Sequence, residues 1–221
     1  MKIMVVAPHP DDELIGPGGS VINHVRQGHE VCVVYMTSGD AGGRANSKEE
    51  LAAIREGEAR NGLNHLGISD LTFLKYPDGY VTYGQTPLIR LMDIIKAKRP
   101  DIVYMPHAAD DHQDHMATHR IAREAVARSR GYWFQESGGD PWNVGTVLCY
   151  EVWTPLPEFN YVEDITESID LKVRALQEHR SQLADLPYND AVRGLNRYRG
   201  AMTGEGTYCE CFQVLKVTRL W

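Results

Sequence analysis

Three features of the sequence predict an α/β fold built on a mostly parallel sheet. Short continuous apolar runs, the pattern of strands covered on both faces, recur along the first two-thirds of the chain. Between them lie longer stretches whose apolar residues recur at helical spacing. The runs are separated by loops rich in Gly, Pro, Asp and Ser, and strand and helix alternate four times. That alternation is the pattern of right-handed strand–helix–strand crossovers. It predicts a Rossmann-like, doubly wound sandwich with helices on both faces of the sheet.

The first strand is predicted at residues 3–7, followed by a polar loop and, after Gly18 and Gly19, a helix through Val21, Ile22 and Val25. Residues 31–36 read as the second strand, closed by Thr37, Ser38, Gly39 and Asp40. Ser47 with Glu50 three residues on is a capping-box pattern. A helix therefore opens there and runs to about Leu66, where Gly67 ends it. A third strand at 71–74 and a third helix at 88–97 lead to Pro100 and Asp101, then to a fourth strand at 102–105. A helix follows from near Asp114 to Arg128, and residues 131–143, rich in Gly and aromatics, read as a loop. The last third is less regular: a strand at 144–152, a helix at 167–183 and a final strand at 208–217. No repeat, low-complexity tract or linker interrupts the chain, so one domain over residues 1–221 is expected.

A chain of 221 residues buries roughly 70% of the surface its unfolded form exposes, enough for a core without staples. Apolar residues at 43% and charged residues at 24% exclude a disordered or fibrous chain. With 23 Lys and Arg against 30 Asp and Glu, the net charge is −7, which argues against nucleic acid or an anionic membrane as partner. Cys32 and Cys149 fall in strand-like runs and read as small buried hydrophobes. Cys209 and Cys211 flank Glu210, but no second pair completes a structural zinc site. No run reaches the ~18 apolar residues of a membrane span, and the start is too short for a signal peptide. A cytoplasmic location is expected.

In open α/β sheets, ligands bind beyond the carboxyl ends of the strands. Two loops at that rim are crowded with imidazole and carboxylate. One, after the first strand, reads Pro8-His9-Pro10-Asp11-Asp12-Glu13; the other, after the fourth, runs Pro106-His107-Ala108-Ala109-Asp110-Asp111-His112-Gln113-Asp114-His115. Helix capping would explain either loop alone; their coincidence at one edge points to a metal site. His9 and Asp12 can supply a nitrogen and an oxygen, and His115 a second nitrogen. Two His and a carboxylate with an open position suit catalytic zinc and equally the facial triad of ferrous iron. Asp11, beside a ligand, can act as general base. His112 can stabilise a developing oxyanion or protonate a leaving group, and Asp114 can orient one of the imidazoles.

These two motifs closely resemble those of the PIG-L/LmbE-like family of metal-dependent N-acetylglucosamine deacetylases, which includes mycothiol- and bacillithiol-pathway enzymes and diacetylchitobiose deacetylases. The resemblance spans most of the chain. It implies zinc, with ferrous iron as the alternative, held by His9, Asp12 and His115. It also implies Asp11 as general base, His112 as the histidine that stabilises the tetrahedral intermediate, and Asp114 as the acid that supports it. Gln113 departs from the pattern, since many members have Pro there. The implied reaction is removal of the acetyl group from an N-acetylglucosamine-type sugar or conjugate by a metal-bound water. A homo-oligomer, trimer or hexamer, is implied too.

Further candidates stand at the same rim. Arg44, in the Gly-rich loop after the second strand, can hold hydroxyls or an anionic group. Arg55 on the next helix either faces the site or pairs with Glu58. Asp78 can bond a sugar hydroxyl, although Pro77-Asp78-Gly79 is also an ordinary turn. His107 and Asp111 read as loop-stabilising residues and His119 as a helix-surface residue. Tyr132, Trp133, Phe134 and Trp142 are candidates for an aromatic sugar wall, and His179 for a place near the site. Two other functions fit less well. A metal-dependent phosphoesterase would want two metals or several basic groups at the rim. A non-catalytic Rossmann-like binding module would want a GxGxxG turn where this chain carries acids.

Overall fold

The computed structural model describes residues 1–43, 46–184 and 186–218. Its elements in order are β1 (Lys2–Ala7), α1 (Asp12–Ile15), α2 (Gly18–Arg26), β2 (Glu30–Thr37), α3 (Lys48–Asn64), β3 (Asp70–Tyr76), α4 (Gln85–Lys98), β4 (Ile102–Pro106) and α5 (Gln113–Arg128). There follow β5 (Thr146–Tyr150), β6 (Tyr161–Asp164), α6 (Ile169–Leu176), α7 (Arg180–Leu183), α8 (Tyr188–Thr203) and β7 (Cys209–Val217).

The strands form one sheet in the order β3-β2-β1-β4-β5-β7-β6. Pairing is parallel from β3 through β5 and antiparallel where β7 meets β5 and β6. The doubly wound, mostly parallel sheet is therefore the one the alternation implied. Because side chains alternate across a strand, each central strand feeds two cores. Ile3, Val5, Val33, Tyr35, Tyr104 and Leu148 pack under α2, α3 and α6. Met4, Val6, Val34, Val103, Met105 and Val147 pack under α4 and α5.

The expected capping box is present: the Glu50 amide donates to Ser47 Oγ at 3.2 Å and the Ser47 amide to Glu50 Oε2 at 2.8 Å. Elsewhere the structure departs from the sequence reading. The loop after β1 contains the single-turn α1, and β6 and α8 had no counterpart. The helix expected at 167–183 breaks into α6 and α7. Ser181 donates from its amide (2.8 Å) and Oγ (2.6 Å) to Glu58 on α3, holding α7 against that helix. Gly19 is required by packing, since a Cβ there would stand 2.6 Å from Ile165 Cγ2. Among the described residues no helix is long and apolar enough to cross a membrane.

Candidate active site

Strand order reverses at β1, which lies between β2 and β4, so the loops leaving β1 and β4 open side by side into the crevice of a topological switch point. His9 and Asp11 come from the first loop and Asp12 from the start of α1; Asp110 and His112 come from the second loop, Asp114 and His115 from the first turn of α5. The turn into α1 is tight. Asp11 takes φ 123°, a conformation unusual for any residue but Gly, and its amide donates to Glu13 Oε2 at 3.0 Å.

The three expected ligands converge. Asp12 Oδ2 lies 3.2 Å from His9 Nδ1 and 3.3 Å from His115 Nε2, and the His9 amide also donates to it at 2.9 Å. His115 is wholly buried, yet neither of its ring nitrogens makes a hydrogen bond. A buried polar atom without a partner is costly. A cation between His115 Nε2, His9 Nδ1 and Asp12 would supply the partner, so these residues fit a metal. Two imidazoles and a carboxylate are a donor set for zinc or ferrous iron.

The surroundings favour positive charge at that point. His9 turns its other nitrogen to two carboxylates, Asp114 Oδ2 at 3.0 Å and Asp78 Oδ1 at 3.1 Å. Although burial opposes the imidazolium, the hydrogen bonds it donates to Asp114, Asp12 and Asp78 raise the His9 pKa well above its ordinary value. Burial likewise opposes a charged His115, but Asp12 and Asp110 push it up to about 9. Burial alone would raise the Asp12 pKa; His115 and His9 outweigh it and pull it far down. These carboxylates also fix the rings, as partners behind metal-bound histidines commonly do.

Asp11 behaves differently. Burial, and then the charges of Asp12 and Glu13, hold its pKa well above the usual carboxylate range, toward the range useful to a general base. His112 caps α5: its Nδ1 accepts from the Asp114 amide at 3.2 Å. The neutral ring therefore carries its proton on Nε2. Burial, then the charges of His9 and His115, lower its pKa, which favours the neutral donor form. One ring nitrogen from each of His9, His112 and His115 lies within 4.8 Å of the others.

A cavity of about 200 Å³ opens onto these groups, lined by His9, Asp11, Asp12, Arg55, His112 and Trp153 among others. A larger cleft, about 400 Å³, lies between α3 and the end of β3 and holds the Lys75–Glu56 pair, at 2.9 Å.

The outer candidates divide. Arg55 lines the cavity and donates to the Gly39 carbonyl at 2.8 Å; Glu58 accepts from Ser181 instead. Asp78 also lines the cavity, but its carboxylate is already engaged with His9 and the Ala41 amide. Arg44 lies outside the described residues. Asp114, expected behind His112, bonds His9 through its carboxylate and also accepts from the Gly79 and Val81 amides. His119 is not on the surface: it is 6% exposed, with Nδ1 2.9 Å from the Pro106 carbonyl. The proposed aromatic wall is at the wrong end. Residues 132–134 follow the far end of α5, and Trp142 donates to the Pro100 carbonyl, just before β4 begins. His107 does brace its loop, bonding the Thr154 carbonyl at 2.8 Å.

Three site residues were given no role from the sequence, although Gln182 belongs to the segment ending in Arg180-Ser181-Gln182 that resembles one near the family's active site. Trp153, in the loop after β5, lies nearly parallel to His112, with ring centroids 6.3 Å apart. Asp110 joins His115 Nδ1, at 3.5 Å, to the Trp153 amide, at 3.2 Å. Gln182 on α7 donates to Asp11 Oδ2 at 2.6 Å. The acid five residues before His115 was a signal for Asp110; the other two are brought in by distant chain.

A family model described as PIG-L, GlcNAc-PI de-N-acetylase, matches residues 4–126. A diacetylchitobiose deacetylase of Thermococcus kodakarensis is 29% identical over 218 residues, covering 92% of this chain and 79% of that protein. The solved N,N'-diacetylchitobiose deacetylase from Pyrococcus horikoshii superposes with a TM-score of 0.88 at 30% identity, over 97% of this chain and 83% of that one. GalB, a 4-carboxy-2-hydroxymuconate hydratase from Pseudomonas putida, shares the fold at TM-score 0.84 and 22% identity, over 100% and 99% of the two chains. The same architecture thus hosts another reaction, and function must be argued from the site.

Proposed function

The chain belongs to the PIG-L family, and on that premise we propose that it hydrolyses the acetamide of an N-acetylglucosamine-type sugar or sugar conjugate. The observation that carries this reading is the convergence of His9 and His115 on Asp12, with Asp11 beside them in one cavity. The family model and the diacetylchitobiose deacetylases support the substrate class. Zinc or ferrous iron held by His9, Asp12 and His115 would supply a Lewis acid for water and for the acetyl carbonyl.

The chain's own groups divide the remaining work. Asp11 takes the proton of the attacking water as the oxygen–carbon bond forms, and returns it to the amine as the carbon–nitrogen bond breaks. His112 donates from Nε2 to the carbonyl oxygen as negative charge builds there, its ring fixed by the Asp114 amide. Asp78 and Asp114 hold His9, and Asp110 holds His115. Trp153, 47% exposed at the mouth of the cavity, offers a flat face to a sugar ring. A phosphate ester is less well served: among the described residues lining the cavity, Arg55 is the sole Lys or Arg.

The test is amine release from N-acetylglucosamine, diacetylchitobiose and N-acetylglucosaminyl-malate, with chelated protein, with zinc or ferrous iron restored, and with Asp11→Asn. We expect metal-dependent release from at least one. Asp11→Asn should lower it by about 10²–10⁴-fold while metal still binds stoichiometrically. No release from any of the three by the metal-loaded protein would sink the reading.

A further inference from the structure

Asp11 is held by little of its own neighbourhood. Its carboxylate makes one hydrogen bond among the described residues, accepted at Oδ2 from Gln182 Nε2 at 2.6 Å. Gln182 lines the cavity beside it, so this bond lies at the reacting face.

The amide is fixed in one sense. Gln182 Oε1 lies 3.3 Å from Nδ1 of His179, a fully buried ring. A carboxylate accepts only from the NH₂ end, so the carbonyl end must face an N–H, and His179 is set with its proton on Nδ1. Its Nε2, buried and without a hydrogen bond, stands 3.9 Å from Glu13 Oε1. The short α7 is anchored in turn by Ser181 on Glu58 of α3. A chain of contacts therefore runs from α3 through α7 to the Asp11 carboxylate.

We propose that Gln182 is the positioning residue of the Asp11 base: its amide pins Oδ2 and leaves Oδ1 for the reacting proton, while His179 keeps the amide from flipping. The inference rests on the deacetylase reading only for Asp11's task, because the contact exists whatever the substrate. Misplacing a reacting group by about 1 Å can lower a rate about 10²-fold.

The experiment is a double-mutant cycle on the metal-loaded protein with Gln182→Met, which keeps length and removes the donor. We expect kcat to fall between about 10- and 10²-fold, with KM and metal stoichiometry unchanged. In the Asp11→Asn background, Gln182→Met should change the residual kcat by less than about 2-fold, since coupled residues lose their effect together. An equal loss in both backgrounds, or no loss in the parent, would overturn the proposal. A second readout needs no turnover. In metal-free protein the Gln182 side-chain amide protons should be protected from exchange, and Asp11→Ala should remove that protection. Protection that survives Asp11→Ala would overturn the contact itself. If no substrate is turned over, the function fails while the amide signal still decides the contact.

Discussion

Asp11 combines a backbone conformation most residues avoid with a carboxylate buried beside two other acids. Such positions persist when function needs them, at about 1–3 kcal/mol each. Asn tolerates positive φ and would carry no charge next to Asp12. Asp11→Asn should therefore raise the thermal midpoint of the metal-free protein at pH 7. A lowered midpoint would mean that the bond with Gln182 outweighs the crowding. The ligand residues were legible because metal binding demands uncommon side chains at close spacing, and His9, Asp12 and His115 meet as expected. Asp114 was expected to orient one of the imidazoles, and the family resemblance set it behind His112. The first turn of α5 instead aims its carboxylate at His9, across the crevice from β4 to β1. Trp153 carries no local mark; only the return of the chain brings it and Gln182 to the site.

At the scale of elements, the strands and helices of the first two-thirds were readable because their apolar periods are strong. The missing pieces fail that criterion for different reasons. α1 is one turn long, and β6 is four residues, none of them fully buried. α8 hides its inward face in polar chemistry: Asn196 donates to the Cys209 carbonyl, and Arg199 grips Glu151 at 3.1 and 2.6 Å. A search for apolar spacing passes over such a helix. The same region holds a buried pair, Lys172 and Glu210, at 2.6 Å. Glu210 also accepts from the Gly19 and Ser20 amides and Ser20 Oγ, whereas among the described residues Lys172 otherwise has only two neutral acceptors, the Gly16 carbonyl and Asn196. Glu210→Gln should thus cost about 3–5 kcal/mol by stranding a buried cation, and Lys172→Met distinctly less. Urea unfolding of the two variants decides the order, and the reverse order would refute this reading of the network.

Across the whole molecule, the acids and histidines of the site stand at one rim of the sheet and the exposed Tyr132 and Trp133 loop at the other. Away from the site, His24 couples folding to acidity. It lies between His29 and the Tyr104 hydroxyl. Burial, then the charges of His29 and the amino terminus, push its pKa down to about 4. The unfolded chain binds that proton near 6.5, so the folded state holds fewer protons between those values. Stability is therefore full above about 6.5 and declines as pH falls toward about 4. Urea midpoints across that range should fall less steeply in His24→Gln than in the parent; equal slopes would show that other groups set the acid sensitivity. The longest of the site's contacts has a consequence in time. Asp11 and Gln182 are 171 residues apart, and a ribosome adding about 5–20 residues per second takes roughly ten to thirty seconds to span that distance. Over the last 67 residues of that span the nascent chain carries His9, Asp12 and His115, but the amide that restrains Asp11 has yet to be made. The metal-binding side chains are complete only near the midpoint of translation, and the aim of the base comes later still.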